Sequence, residues 1–256
     1  MEPNMKNFNT ILAVGAVAAV CGAAEAALVA AWDFQTITNG GTALAQAPNT
    51  PKVLQANFGA GSIFLDGTNG SSNFSTATSP SGVNQLTSFS GTAVNASATI
   101  GMSTVTSGGA LGIVNSSANG FAMVFKFNMA SLANLGFTFA AQRTSTGFTG
   151  IAIDTSSDGV SWSSWTTLTS TNSGSPAVYT GPVRDSFANS GVISVSSTSN
   201  LDNAGTAYVR LTFSGASSTS GNNRFDNFIF SADAVPAPGA MALLGVAGLL
   251  GVRRRR

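Results

Sequence analysis

The chain has 256 residues and a formal net charge of +1, but only 8% of its residues are charged, far below the roughly 25% usual in soluble globular chains. It has no histidine, its glutamates are Glu2 and Glu25, and its one cysteine is Cys21, so residues 27–234 contain no His, Glu or Cys. That excludes most general acids and bases, thiol nucleophiles, transition-metal ligands and disulfides from the body of the chain. Six Lys/Arg against eight Asp over the same span leave no clustered basic footprint for nucleic acid.

The N-terminus has a cationic start at Lys6, an apolar run over 11–20 and the small-residue close Ala24-Glu25-Ala26. These three parts predict a secretory signal peptide over residues 1–26, cleaved between Ala26 and Ala27. Its apolar run is too short for a membrane span, which needs about 20 residues. Cys21 leaves with the leader, so the exported body must hold together through its own core.

From there the pattern is alternation. "LVAAWDF" and "GSIFLD" open the series of predicted strands. Residues 66–119, rich in Ser, Thr, Asn and Gly, predict long loops with one or two edge strands. "FAMVFKFNM" puts Phe121, Met123, Phe125, Phe127 and Met129 on one face, and "NLGFTFAAQR" points Phe137 and Phe139 inward. "GIAIDTS" and "SWTTLT" follow, joined through Asp158-Gly159, a pair suited to a tight hairpin turn. "GVISVS" and "TAYVRLTF" come next, the latter sending Val209, Leu211 and Phe213 inward. Last is "RFDNFIFSA", with Phe225 and Ile229 as inward candidates. No stretch has helical amphipathic spacing. About ten short strands and seventeen phenylalanines predict an all-β antiparallel sandwich over residues 27–234.

Three groups of residues are candidates for chemistry. Trp162 and Trp165 in "DTSSDGVSWSSW" offer flat aromatic faces for stacking on sugar rings, and the same hairpin could instead pack a tryptophan into the core. Asp33, Asp226 and Asn227, with Asp66 and Asn222 nearby in type, supply oxygen donors that suit Ca²⁺, although the spacing is not that of an EF-hand. The alternative is a turn network of Arg224 and Asp226 capped by asparagines. Asp154 and Asp158 are the nearest approach to a paired-carboxylate hydrolase, but nothing around them separates two pKa values, so catalysis is not expected.

The C-terminus, residues 235–256, begins "VPAP", where Pro236 and Pro238 end any strand. Residues 239–252 are apolar and Arg253, Arg254, Arg255 and Arg256 close the chain. As a helix, fourteen residues reach about 21 Å at 1.5 Å each, short of a hydrocarbon core of about 30 Å. The arginines hold that end on the cytoplasmic side, and so short a segment engages the inner membrane transiently, the alternative being an ordinary C-terminal anchor. This order of parts resembles the PEP-CTERM sorting signal of secreted bacterial proteins, with Ala237 standing where that signal has its glutamate. The resemblance implies an exosortase-like processing enzyme as partner and delivery to the cell surface or an extracellular polysaccharide matrix. "AWDF" and "RFDNFIF" likewise resemble the jelly-roll modules, concanavalin- or galactose-binding-like, that accompany such tails. That resemblance implies a structural calcium near the first and last strands. "S-x-D-G-x-x-W", matched by Ser156, Asp158, Gly159 and Trp162, is similar to the hairpin of discoidin-type modules.

The sequence therefore predicts an exported, non-enzymatic surface or matrix protein, structural or associated with extracellular polysaccharide. Its alternative is a calcium-assisted, lectin-like carbohydrate-binding module, and a glycoside hydrolase of concanavalin-like fold comes third.

Overall fold

A computed structural model describes residues 26–35, 53–65, 74, 82–86, 93–104, 109–170 and 191–236. Residues 1–25, expected as a signal peptide, Asp66, Ala237, Pro238, the apolar run 239–252 and the four terminal arginines lie outside the described residues. Among those described are thirteen strands, more than the ten expected. They are β1 (Ala27–Trp32), β2 (Val53–Gln55), β3 (Phe58–Gly59), β4 (Gly61–Phe64), β5 (Gly82–Leu86), β6 (Ala110–Val114) and β7 (Ala122–Phe127). Then follow β8 (Leu132–Arg143), β9 (Gly150–Ser156), β10 (Ser163–Thr169), β11 (Gly191–Thr198), β12 (Ala207–Ser214) and β13 (Asn222–Ala234).

The strands form two antiparallel sheets of one unit spanning residues 25–235. The first sheet runs β11-β8-β13-β1-β3, with β6 also beside β13 and β5 beyond β6. The second runs β10-β9-β12-β7-β4-β2. The fold is an all-β antiparallel sandwich, as the alternation predicts. Two single-turn 3-10 helices, Ala98–Ile100 and Ser116–Ala118, lie in connections. No helix among the described residues is long and apolar enough to cross a membrane.

Phenylalanines fill the space between the sheets. Phe125 of the second sheet meets Trp32, Phe137, Phe228 and Phe230 of the first, with ring centres 5.4, 5.7, 5.1 and 5.0 Å apart. These are mostly edge-on contacts, the arrangement that ring quadrupoles favour. Met123, Phe127, Met129, Phe139, Val209, Leu211 and Phe213 join the same core, and Phe121 packs against it partly buried. Each fully buried large side chain contributes about 1.5–3 kcal/mol, which lets a cysteine-free body hold together.

Strand β13 corrects the expected inward set. Strict alternation from Phe225 puts Ile229 in the core, yet Ile229 is only half-buried while Phe228 and Phe230 are fully buried. Asn227 sits at φ 50° and the β13–β8 register shifts between Asp226 and Ile229. One extra residue in a bulge reverses the parity of everything after it. The bulge falls where β13 changes partners: Phe225 pairs with Leu111 of β6, and Phe228 pairs with Trp32 of β1. Residues 66–119 thus contribute more than edges, since β6 is paired on both sides. Arg224 and Asp226 lie within this strand rather than in a turn.

Asparagines do much of the loop work. Asn223 is fully buried, accepts from the Phe148 N–H at 2.8 Å and donates to the Phe148 carbonyl at 3.0 Å. Asn119 holds Ala216 in the same way, at 3.0 and 2.9 Å. In each case a side-chain amide imitates a neighbouring strand. Asn95, Asn115, Asn134, Asn203 and Asn227 also take positive φ, which asparagine tolerates better than most residues.

Candidate functional site

The β9–β10 hairpin forms as its sequence demands. Gly159 supplies φ 75°, and Asp158 Oδ1 accepts from the N–H groups of Val160 and Ser161, each at 2.8 Å. The Ser156 hydroxyl donates to the same oxygen at 2.8 Å and accepts from the Gly159 N–H at 2.8 Å. These hydrogen bonds, the backbone ones first, hold the Asp158 carboxyl well below the usual carboxylate range. Asp154 faces Arg210 across β9–β12, with Arg210 Nη2 2.8 Å from Asp154 Oδ2. Both aspartates therefore hold structure, Asp154 in an ion pair and Asp158 in a turn.

The two candidate tryptophans do not form one platform. Trp162 precedes β10 and lies under Arg210, whose guanidinium carbon is 4.2 Å from the ring centre. Trp165 packs against the core cluster, and its indole N–H reaches the first sheet, donating to the Ser196 carbonyl at 2.9 Å. A bulge in β10 between Ser164 and Thr166 sets Trp165 apart from the regular alternation.

Trp165 lies on the wall of a cleft of about 290 Å³ between β10 and β11, the terminal strands of the two sheet orders. One side is Trp165, Thr166, Thr167 and Leu168, and the other is Ser194, Val195, Ser196 and Ser197. Leu168 and Val195 are buried, while Thr167, Ser194, Ser196 and Ser197 are exposed. The result is an apolar floor beneath a rim of hydroxyls, with no charged side chain among the described lining residues. Sequence alternation marked β11 as a strand, but nothing in it showed that β11 would stand opposite Trp165.

Asp33, Asp226 and Asn227 do come together. The bulge leaves a gap in the sheet between the end of β1 and the start of β6, and Asp33 follows β1 into it. Asp226 is fully buried; its Oδ1 accepts the Asn227 N–H at 2.8 Å and its Oδ2 has no partner. Asn227 donates from its side chain to the Val94 carbonyl at 2.8 Å, and Asn95 donates to the Asn227 carbonyl at 2.7 Å. Gln142 is fully buried on β8, two residues from Ala140, which pairs with Asp226; neither end of its amide has a partner. Burial, with a smaller push from Asp33, raises the Asp226 carboxyl to about 9 against the opposing Asn227 N–H. Arg224, two residues before, is lowered to about 10 by burial.

A calcium ion fits this donor chemistry. The described residues hold no group of three or more His, Cys, Asp or Glu, so an ion here relies on Asp33 and Asp226 with amide and backbone oxygens. Calcium accepts that mixture of six to eight hard oxygens. The partnerless Asp226 Oδ2 is the atom such an ion would satisfy, while Gln142 lies opposite Arg224 in the register. Gln142 and Asn95 went unread in the sequence, because only the fold places them beside the bulge. Asn222 instead pairs with Val114 at the start of β13.

Of the remaining sequence candidates, Ala26 is exposed, Ala27 is the first residue of β1 and half-buried, and Pro236 is exposed just beyond β13. No family model matches the chain, and no curated protein is similar to it in sequence. Solved structures similar to it include TmCBM61 in complex with beta-1,4-galactotriose, at 9% identity and a TM-score of 0.29, covering 59% of this chain and 82% of that one. Another is a family 35 carbohydrate-binding module from an environmental isolate, at 15% identity and a TM-score of 0.30, covering 48% of this chain and 74% of that one. A third is the K2 cleaved adhesin domain of Lys-gingipain, at 13% identity and a TM-score of 0.33, covering 59% and 84%. Scores this low leave the architecture to be read from the chain's own two antiparallel sheets.

Proposed function

We propose that this chain is an exported, non-catalytic surface or matrix protein whose sandwich binds carbohydrate. The observation that carries the reading is the β10–β11 cleft, where an aromatic wall and an apolar floor lie under a rim of serine and threonine hydroxyls. The indole offers an apolar face to the C–H side of a sugar ring, and the hydroxyls serve as donors and acceptors for its OH groups. Among the described residues no carboxylate lines the cleft. Asp154 is paired with Arg210, Asp158 caps a turn, and Asp202 and Asp233 accept from Asn134.

Export rests on the signal peptide over residues 1–26. The tail over 235–256, read as a PEP-CTERM-like signal, brings the chain transiently to the inner membrane and to an exosortase-like enzyme, and then to the surface or matrix. In this reading calcium is structural: Asp33 and Asp226, with Asn227, would hold it and close the gap between β1 and β6. Its chemistry there is charge neutralisation of two neighbouring carboxylates.

The test is co-sedimentation of the full chain with the producing organism's extracellular polysaccharide, with and without EDTA. Binding in both conditions supports the carbohydrate reading without a role for calcium in it, and binding lost in EDTA adds that role. No binding in either condition overturns the reading and leaves a structural coat protein.

A further inference from the structure

We infer that the β10–β11 cleft selects an uncharged glycan, and that Trp165 rather than Trp162 is the aromatic residue that holds it. The inference rests on the carbohydrate-binding reading and narrows it to one site and one ligand class. Among the described residues the lining comprises one indole, five hydroxyls, two aliphatic side chains and no charge. A uronate or sulfate group in such a site would lose water without gaining a cation, and anion recognition depends on charge-assisted hydrogen bonds. A neutral sugar meets no such penalty, because each serine or threonine hydroxyl both donates and accepts.

Three cations among the described residues are committed elsewhere. Arg210 is committed to Asp154 and stacked on Trp162. Lys126 sits over the Tyr208 ring at 5.5 Å, and Arg143 is buried at the end of β8 with its Nε donating to the Ser170 hydroxyl at 2.7 Å. None of the three lines the cleft. Trp162 already carries a cation on one face of its ring. Trp165 has its N–H fixed on Ser196, so the ring is held across the seam before any ligand arrives. A side chain ordered in advance loses little entropy on binding.

The experiment is affinity electrophoresis of the full chain in gels containing galactomannan, a soluble β-glucan or polygalacturonate, at low and high salt. Expected is retardation by at least one neutral polymer, little changed by salt, and none by polygalacturonate. Trp165→Ala should weaken retardation about tenfold or more, as loss of a central aromatic contact does. Because Trp165 also packs against the core, Ser196→Asp serves as the second variant: Ser196 is exposed, and a charge there should weaken neutral binding without unfolding the sandwich. Trp162→Ala should leave retardation within about twofold, a difference well below 1 kcal/mol. Retardation by polygalacturonate that salt abolishes, or neutral binding untouched by both cleft variants, overturns the inference while leaving the carbohydrate reading in place. Failure to bind any polymer, including the organism's own, overturns both. Self-association of the full chain that Ser196→Asp abolishes would show that the cleft takes a second copy, and would likewise overturn the inference.

Discussion

Arg210 stands 4.2 Å above the ring of Trp162 and at the same time 2.8 Å from the carboxylate of Asp154. The pair is about one-fifth exposed on each side, so screening limits the ion pair to about 1 kcal/mol or less, and the ring contact adds a similar amount. Trp162→Ala should therefore lower the urea unfolding free energy by about 1–2 kcal/mol. A loss of glycan binding in a variant that remains folded would instead assign Trp162 to the ligand.

The pocket around Asp226 makes stability depend on pH once divalent cations are removed. The carboxyl is raised to about 9 in the folded state from 3.8, so between those values the folded chain holds a proton that the unfolded chain has lost. Stability in EDTA should fall as pH rises from about 4 to about 9, with a slope of at most about 1.4 kcal/mol per unit. Asp226→Asn should flatten that slope and raise the thermal midpoint at pH 8. A pH-independent midpoint in EDTA would contradict the placement of Asp226.

Calcium should act on the same pocket from the other side. Adding it to EDTA-treated chain at pH 8 should raise the thermal midpoint, because an ion that binds only the folded state stabilises it by mass action. Asp33→Asn should reduce that gain, and magnesium should reproduce little of it, since it requires a tighter octahedral shell. An equal response to both ions, or none to either, would remove calcium from the pocket.

Asn223→Ala should cost about 2–4 kcal/mol in urea unfolding, because it strands the N–H and carbonyl of buried Phe148. Asn223→Asp should be damaging too: it keeps the acceptor, loses the donor and brings a charge into a fully buried site.

Phe230 lies flat on Phe137, centres 4.1 Å apart and planes 2° from parallel, as a direct cross-strand pair of β13 and β8. Phe230→Ala should destabilise by about 3–5 kcal/mol, whereas Ile229→Ala, one residue earlier and half-buried, should cost markedly less. A reversed order would mean that the bulge at Asn227 is misplaced.

Much of the architecture was legible in the residues themselves. Period-two alternation in "FAMVFKFNM" and "TAYVRLTF" depends only on neighbouring residues, because successive side chains of a strand point to opposite faces. The β9–β10 hairpin was legible for the same reason: Asp158 and Gly159 complete their turn within six residues. Composition also determined what the body of the chain lacks, since a residue type absent from the sequence is absent from every fold it could adopt.

What only the tertiary structure decided was relations between distant strands. Phe228, not Ile229, faces the core because β13 leaves β6 for β1 at Asn227, and no local pattern announces a change of partner. Trp162 and Trp165 are three residues apart, yet one lies under Arg210 and the other reaches Ser196 on the opposite sheet. Asp33 and Asp226 were nameable as oxygen donors from their types, but Gln142 and Asn95 were not. Gln142 is placed by the β8–β13 register and Asn95 by a hydrogen bond across 132 residues of chain, and both are properties of the assembled sheet.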